Sequence, residues 1–252
     1  MIINNLFLKI RNVLGKLKRF VFFYPYTLGG KIQVKYFSCK HIDATYSFDK
    51  PIVYTKEEIA SYIDKVARKE VFDYKETDTW LYQALEKYSI RGKDVAIIGS
   101  IIPRYESVCL FYGGRPTTIE YNKRISEDSR LNTLTVAEFN KNPRQFDAAF
   151  SISSFEHDGL GRYGDPLNPS GDFEAMRKTK RIIRRGGILF LAIPVGKDTL
   201  VWDAHRIYGR IRLPLLLKGW RVLDTFGFND SLLDIDSDPP DVIQPIFVLE
   251  NI

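Results

Sequence analysis

A group of acid and base side chains is concentrated in one stretch of the sequence, between residues 151 and 171. The stretch reads SISSFEHDGLGRYGDPLNPSG, and Glu156, His157 and Asp158 are consecutive within it. A histidine beside carboxylates is suited to proton transfer, because a carboxylate orients or charge-stabilises the imidazole. His205 stands in a second distinctive stretch, VWDAHRIYG. We interpret His157 as the first candidate for a general base acting on a hydroxyl group, and His205 as the second. Glu156 and Asp158 complete the catalytic candidates.

Two other interpretations of these residues remain open. His157 could instead hydrogen-bond to the backbone and so shape its own loop. The acids and histidines near residues 156–158 and 203–205 could also bind a metal ion, but consecutive loop residues rarely all point at one ion. We therefore predict no metal site.

Basic and aromatic side chains accompany both stretches. A guanidinium binds phosphate or hydroxyl groups through several N–H donors, so these side chains are candidates for holding a phosphate or a sugar. The alternative for each arginine is an ion pair with Asp158, Asp165 or Asp203. The predicted substrate-binding residues are Arg162, Tyr163, Arg206 and Tyr208.

The stretch itself predicts a long, shaped loop after a strand. An apolar run over residues 146–152 leads into the acid-base residues, and four glycines and two prolines follow before the next helical pattern. Loops of this length without periodicity are usually functional or disordered. Disorder is disfavoured, because the segment mixes aromatic, glycine and acid-base residues without low complexity. We expect a binding or catalytic loop.

A second strand end carries the pattern of a nucleotide site. An apolar run over residues 95–98 leads into Gly99 and Ser100, a helix pattern follows, and a strand over residues 116–122 carries Glu120. Glycine allows close backbone approach and a carboxylate accepts both hydroxyls of a ribose, so this order favours an adenosine site. The turn has one glycine where a dinucleotide fingerprint has three. An ordinary strand-to-helix turn with a solvent-facing Glu120 is the alternative.

Strand and helix patterns alternate along the rest of the chain. Helices are predicted over residues 56–71 and 79–88 and from residue 172 to the pair Gly186-Gly187. Further strands are predicted over residues 131–136, 188–194, 219–226 and 243–250, the last at or near a sheet edge because of Pro245. Alternation of this kind predicts an α/β fold: a doubly wound, mostly parallel sheet of seven strands, with ligands beyond the strand carboxyl ends.

Several segments resemble known families. The segments FDAAFSISSFEHD and MRKTKRIIRRGGILFLAIPVG are similar to two motifs of class I S-adenosylmethionine-dependent methyltransferases, which have a Rossmann-like fold. More specifically, IGSIIPRYE, TTIEYN, SSFEHDGLGRYGDPLNPSGD and VGKDTLVWDAHRIYGRIRLP resemble the domain-of-unknown-function family numbered 268. The resemblance covers residues 94–227, and the long-loop motif is highly specific.

The resemblance implies a function and a cofactor. It implies an S-adenosylmethionine-dependent methyltransferase, which we expect to act on a small hydroxyl compound or a saccharide. The alternatives are a non-catalytic binding protein of the same fold and a glycan-pathway enzyme that binds a nucleotide-sugar. By resemblance, Gly99 and Ser100 would border the methionine part and Glu120 would hold the ribose. The full set of implied cofactor residues is Gly99, Ser100, Glu120, Tyr121, Asn122, Ser153 and Ser154.

The net charge of +6 is concentrated near the N-terminus. The first 40 residues contain no acid, and residues 6–23 interleave apolar side chains with five cations at helical spacing. Such a basic amphipathic helix could lie on an anionic membrane surface or dock on its own domain. Its interrupted apolar run is typical of neither a signal peptide nor a spanning helix. We predict a basic extension over residues 1–54 and a methyltransferase-like domain over residues 55–252.

Two cysteines, Cys39 and Cys109, give no disulfide framework and no metal-ligand spacing. A reducing compartment is therefore expected. We predict a cytoplasmic protein, with peripheral contact at the inner face of a membrane through residues 6–23 as an open possibility. The expected partner is a small molecule or saccharide, and no nucleic acid is expected.

Overall fold

A computed structural model describes residue 18 and residues 21–36, 50–237 and 242–252 of the chain. The helix predicted over residues 6–23 lies outside these ranges except for Lys18 and residues 21–23, and so do Cys39 and most of the segment around it. Within the described ranges, no helix is both long and apolar enough to cross a bilayer.

Six α-helices lie wholly within the described residues. They are α1 (Lys56–Ala67), α2 (Glu76–Lys87), α3 (Arg104–Phe111), α4 (Val136–Lys141), α5 (Gly171–Ile182) and α6 (Arg212–Leu216). Two short 3₁₀ helices cover Phe155–His157 and Asp230–Asp234.

The strands follow the expected alternation with the helices. They are β1 (Gln33–Tyr36), β2 (Ile52–Tyr54), β3 (Asp94–Ile98), β4 (Arg115–Glu120), β5 (Arg124–Ser126), β6 (Asn132–Thr135), β7 (Phe146–Ile152), β8 (Ile183–Ala192), β9 (Thr199–Trp202), β10 (His205–Ile207), β11 (Trp220–Phe226) and β12 (Ile246–Asn251).

The main sheet has seven strands in the order β11-β12-β8-β7-β3-β4-β6. Strands β6, β4, β3, β7 and β8 pair in parallel, whereas β12 is antiparallel to both β8 and β11. This confirms the predicted doubly wound, mostly parallel sheet. Strand β12 lies second from the edge, and Pro245 precedes it, so the proline interrupts no ladder.

Two apolar cores cover the faces of this sheet. The central strands contribute side chains to both cores, because successive residues of a strand point to opposite faces. In β7, Phe146 and Ala149 belong to one core and Ala148 and Phe150 to the other. The strand is buried on both faces, as expected for a parallel strand between helical layers.

Two predicted helix ends were wrong. Helix α1 ends at Ala67 rather than at residue 71, because Lys69 adopts a positive φ of 57° that ends the helix. Helix α5 ends at Ile182, and Gly186-Gly187 lies within β8 rather than after the helix. The pairing of β7 with β8 shifts register there, and a side chain on Gly187 would meet the Asp147 carbonyl oxygen at 2.7 Å. The two glycines therefore form a bulge at the start of the strand.

Described parts of the predicted N-terminal extension pack against the remainder of the fold. Strand β1 pairs in parallel with β9 in a three-stranded sheet, and β2 pairs with β5. Phe23 and Tyr26 are buried in a cluster with Leu160 and Leu200. The domain boundary at residue 54 stays a prediction, but these contacts attach residues 21–36 to the long loop that contains the acid-base residues.

Candidate functional site

The order of the main sheet places a crevice between β3 and β7. From β3 the chain builds β4 and β6 on one side, and it then crosses to β7 and β8 on the other. In a doubly wound sheet, ligands bind beyond the strand carboxyl ends at this reversal of strand order. Gly99 follows β3, whereas Ser153 and Ser154 follow β7, so these predicted residues lie at the reversal.

The turn after β3 is in direct contact with the turn after β7. Gly99 has a φ of +79°, and a side chain on it would come within 2.1 Å of the Ser154 hydroxyl oxygen. A glycine is therefore required both by the backbone conformation and by the close approach of Ser154. The same contact means that Ser154, a side chain of the protein itself, fills the space beside Gly99.

Glu120 lies across the turn from Ser100. One oxygen of its carboxylate accepts a hydrogen bond from the Ser100 backbone N–H at 2.8 Å. Burial raises the pKa of Glu120, although Arg124 and backbone N–H groups oppose this effect. Tyr54 and Arg124 donate to the Ser100 carbonyl oxygen at 3.1 and 3.3 Å and fix the turn from the other side.

Tyr121 lies in acidic surroundings next to this turn. Its side chain is 71% exposed, and burial together with the charges of Asp158, Asp165 and Glu120 raises its pKa. The pKa of Asp158 is itself raised to about 7, first by burial and then by Asp165. Asp158 is thus one of the charges that act on Tyr121. Asn122 contributes its carbonyl oxygen to Arg124 at 3.3 Å.

A cavity of about 250 Å³ opens on the β7 and β8 side of the crevice. Three of the four predicted catalytic residues and two of the four predicted substrate-binding residues line it, so the structure brings together residues nearly fifty positions apart. The lining residues are Tyr74, Ser153, Glu156, His157, Arg162, Tyr163, Pro194, Ala204, His205, Val242 and Gln244.

Ser153 and Glu156, two of the lining residues, are hydrogen-bonded to each other. Ser153 has a positive φ of 52°, an uncommon conformation for a residue with a side chain, and such strain is often found at functional sites. Its hydroxyl donates to Glu156 Oε1 at 2.7 Å. Burial raises the pKa of Glu156 to about 7, against the opposing effect of this hydrogen bond. The second oxygen, Oε2, is buried without a partner among the described residues.

The two histidines of the cavity are held in the neutral form. His157 Nδ1 lies 2.6 Å from the Ala204 carbonyl oxygen, and burial lowers the pKa of His157 to about 4. Burial and the nearby His157 lower the pKa of His205 to about 3. Their ring centroids are 6.2 Å apart, and His205 Nε2 is buried with no hydrogen-bond partner in the described structure.

The four predicted substrate-binding residues divide into two pairs. Arg162 and Tyr163 line the cavity, with the Arg162 guanidinium 5.9 Å from the Tyr163 ring centroid. Arg206 is 1% exposed and donates to the carbonyl oxygens of Glu156 and Asp158 at 3.3 and 2.6 Å. It therefore braces the backbone of the long loop and does not reach the cavity.

Tyr208 is also buried away from the cavity, and its hydroxyl donates to Asp172 at 3.1 Å. Asp172 is completely buried and accepts two hydrogen bonds from Arg212, at 2.7 and 2.8 Å. Arg212 also donates to the carbonyl oxygens of Pro169 and Tyr26 at 3.0 and 3.4 Å. This buried network holds the end of the long loop and the N-terminal segment in place.

Two polar residues of the cavity, Tyr74 and Gln244, were not predicted from the sequence. Burial raises the pKa of Tyr74, whose hydroxyl interacts with the Ser153 side chain. Gln244 is 8% exposed, and its Oε1 has no partner among the described residues. Neither stands in a motif, and each lies outside the regular helices and strands. Gln244 fell within the last strand predicted from the sequence, over residues 243–250, but β12 begins only at Ile246.

The sheet order with its antiparallel β12 is that of the class I methyltransferase fold. The chain belongs to the family described as Caenorhabditis protein of unknown function, DUF268, whose model matches residues 92–239. The family resemblance inferred from the sequence is thereby confirmed. No curated protein matches the sequence significantly.

Solved methyltransferase structures superpose loosely on the chain. A 1,6-didemethyltoxoflavin-N1-methyltransferase from Burkholderia thailandensis, with bound S-adenosylhomocysteine, is 14% identical over 81% of this chain and 92% of its own, with a TM-score of 0.48. The N-methyltransferase NodS from Bradyrhizobium japonicum is 11% identical over 71% and 99%, with a TM-score of 0.47. An S-adenosylmethionine-dependent methyltransferase from Clostridium acetobutylicum is 12% identical over 77% and 98%, with a TM-score of 0.45.

Proposed function

We propose that the protein is an S-adenosylmethionine-dependent methyltransferase that acts on a small hydroxyl compound or a saccharide bound in the cavity. One observation carries this proposal: two adjacent residues after the end of β7, Ser153 and Ser154, lie at two different positions, one in the cavity and one beside Gly99. Ser154 packs on Gly99 beside Glu120, whereas Ser153 lines the cavity with Glu156. A two-substrate transfer requires its substrates side by side, and this strand end is shared by both positions.

The charge around the turn at Gly99 fits the cofactor. S-adenosylmethionine carries a net positive charge, and the surroundings of Tyr121 are acidic. The Asp158 carboxylate accepts no hydrogen bond from the described residues. Burial first and the charge of Asp165 second raise its pKa, and a bound cation would favour its ionised form. Glu120 and Asn122 would hold the ribose side, and Gly99 with Ser100 would border the methionine side. The cofactor, when bound, supplies an electrophilic methyl group on a sulfonium.

The cavity residues supply the acid-base chemistry for a hydroxyl acceptor. Because the Ala204 carbonyl can only accept a hydrogen bond, the proton of neutral His157 resides on Nδ1 and Nε2 keeps its lone pair. His157 Nε2 would take the proton from the acceptor hydroxyl as the oxygen becomes methylated. The hydrogen bond to Ala204 holds the ring in place while it carries the positive charge. Glu156 Oε1, 3.7 Å from Nε2, stabilises that charge when ionised.

Titration calorimetry with S-adenosylmethionine tests the cofactor half of the proposal. Wild type should bind, and Glu120→Gln, which keeps the shape and removes the charge, should bind about tenfold more weakly or worse. Glu76→Gln is the matched control, since Glu76 is an exposed acid on α2 far along the chain from the turn. Absence of heat with wild type would overturn the proposal.

Substitution of His157 separates binding from chemistry. His157→Ala should retain cofactor affinity and lose methyl transfer to hydroxyl compounds by about 10²–10⁴-fold, the range for a general base. A folded variant with unchanged turnover would remove His157 from the mechanism. If wild type binds a nucleotide-sugar instead of S-adenosylmethionine, a glycan-pathway enzyme replaces the methyltransferase. If it binds neither, the fold serves a non-catalytic role.

A further inference from the structure

Arg162 is an unpaired positive charge at the cavity. It has no ion pair or hydrogen bond with any residue of the described ranges, and its guanidinium contacts the Tyr163 ring. Asp165, an acid of the same loop, is already engaged, because it accepts hydrogen bonds from the backbone N–H groups of Gly159, Gly161 and Tyr163. By contrast, the buried arginines Arg206 and Arg212 have protein acceptors.

The other titratable side chains of the cavity do not compensate this charge. The positive charge of Arg162 contributes to the lowered pKa of both His157 and His205. The pKa of Glu156 is raised by burial, and its Oε1 faces Ser153. Because Arg162 has no ion pair with a carboxylate of the described residues, an anionic ligand could supply that partner.

Three buried polar atoms of the cavity lining also lack partners. They are Glu156 Oε2, His205 Nε2 and Gln244 Oε1. Buried polar groups are nearly always hydrogen-bonded. Three unpaired polar atoms in the lining of one cavity therefore indicate that a ligand or ordered water forms hydrogen bonds with them. Oxygen acceptors and imidazole nitrogens pair with hydroxyl groups, which both donate and accept. The cavity thus combines one cationic position with several positions for hydroxyls.

We infer that the acceptor bound in the cavity is a hydroxylated anion, a sugar acid or a sugar phosphate, whose carboxylate or phosphate is held by Arg162. The inference rests on the proposed function in taking the cavity as the acceptor site. The size of the cavity agrees, since about 250 Å³ is below the ~300–1,000 Å³ typical of sites for drug-sized ligands. A single sugar unit satisfies both the hydroxyl positions and the limited volume.

Equilibrium binding to the full chain without cofactor tests the inference. The probes are D-glucuronate, D-glucose 6-phosphate, D-glucose and inorganic phosphate, followed by calorimetry and thermal shift. We expect at least one of the two anionic sugars to bind about tenfold or more tightly than glucose and than phosphate, because a charge-assisted hydrogen bond adds to the hydroxyl contacts. The comparison of glucuronate with glucose 6-phosphate identifies the anion.

Variants of the guanidinium assign the effect to Arg162. Arg162→Gln should weaken the anionic sugar about tenfold or more, Arg162→Lys should restore part of that loss, and glucose binding should not change. Arg185→Gln is the matched control, an exposed arginine at the start of β8. Circular dichroism and an unchanged thermal midpoint establish that each variant folds.

Three results would overturn the inference: none of the probes binds, glucose binds as tightly as the anionic sugars, or Arg162→Gln leaves the anionic sugar unaffected. Because no cofactor is present in these measurements, they are independent of the methyltransferase proposal. A protein that binds S-adenosylmethionine but ignores Arg162 would retain the proposed function and lose this inference.

Discussion

The Nδ1 atom of His157 lies 2.6 Å from the carbonyl oxygen of Ala204, which connects the first candidate base to the turn immediately before the second histidine, His205. The two motifs that are distinctive in the sequence, around residues 157 and 205, therefore meet through this hydrogen bond. The ring of His157 also packs edge-on against Tyr163 at 5.4 Å. These contacts fix both the tautomer and the orientation of the imidazole.

The first prediction is that both cavity histidines remain neutral at pH 5.5. Burial lowers their pKa values to about 4 and about 3, against about 6.5 for a free histidine. Their contribution to stability is complete above pH 6.5 and is lost as the pH falls through the folded pKa values. Long-range ¹H–¹⁵N correlation spectra should show His157 with its proton on Nδ1. A protonated ring at pH 5.5 would contradict the structure.

A variant provides the control for this titration. Arg162 lowers the pKa of both histidines, so Arg162→Gln should raise both values. Arg185→Gln, at an exposed position in β8, should leave both unchanged.

The second prediction concerns the contact between Gly99 and Ser154. An alanine at position 99 meets both a positive φ of 79° and the Ser154 hydroxyl at 2.1 Å. We expect Gly99→Ala to lower the free energy of unfolding by about 2–5 kcal/mol, the cost of an unfavourable backbone conformation plus overpacking. Urea denaturation measures this change.

Two further variants separate the contributions at position 99. Gly92 has a φ of 70° with nothing within 4 Å of an added side chain, so Gly92→Ala should cost only the backbone part, about 1–2 kcal/mol. Adding Ser154→Gly to Gly99→Ala should relieve the steric part. If the double variant is no more stable than Gly99→Ala, the close approach of Ser154 is not the cause.

The sheet was predictable from the sequence because each of its central strands is buried on both faces and reads as an apolar run. The runs at β3, β7 and β8, with glycines at their ends, defined both the strands and their order along the chain. Helix ends were less predictable, since they depend on contacts with distant residues. Gly186 and Gly187 look like a helix terminator, and only the pairing with β7 shows that they form a bulge.

The site was predictable only where chemistry and motif coincide. Four residues that were predicted to be catalytic or substrate-binding from their types and sequence neighbours line the cavity: Glu156, His157, Arg162 and His205. Arg206 was predicted to bind substrate for the same reasons, but its side chain hydrogen-bonds to the backbone of the long loop. The direction of this side chain depends on the tertiary fold, which the local sequence does not indicate. Tyr74 and Gln244 carry no local signal, since tertiary packing alone brings them to the cavity.

The third prediction concerns Glu106, a completely buried carboxyl on α3. Its Oε1 accepts a hydrogen bond from Thr118 at 2.7 Å, and burial raises its pKa to about 7. A raised carboxyl pKa gives stability that is complete below about pH 4.5 and is lost as the pH rises through 7. Glu106→Gln removes this loss. The free energy of unfolding of the variant, relative to that of wild type, should therefore increase between pH 5 and pH 8, by up to about 3 kcal/mol.

Thermal unfolding at both pH values measures the effect of Glu106→Gln. Glu57→Gln, at an exposed position in the first turn of α1, is the control and should show no such growth. An advantage of Glu106→Gln that is equal at pH 5 and pH 8 would show that ionisation of this carboxyl is not the cause.

The fourth prediction is that two Asp–Arg pairs differ in their contribution to stability. Asp172→Asn removes the charge that compensates the buried Arg212, and an uncompensated buried charge costs about 3–5 kcal/mol. Asp147→Asn affects a pair with the half-exposed Arg184 and should cost no more than about 1 kcal/mol. Because Asp172 anchors the end of the long loop, its variant should also become more sensitive to proteolysis between residues 158 and 170, whereas Asp147→Asn should not. Equal losses in urea denaturation would mean that the Asp172 network does not hold the loop that forms the cavity.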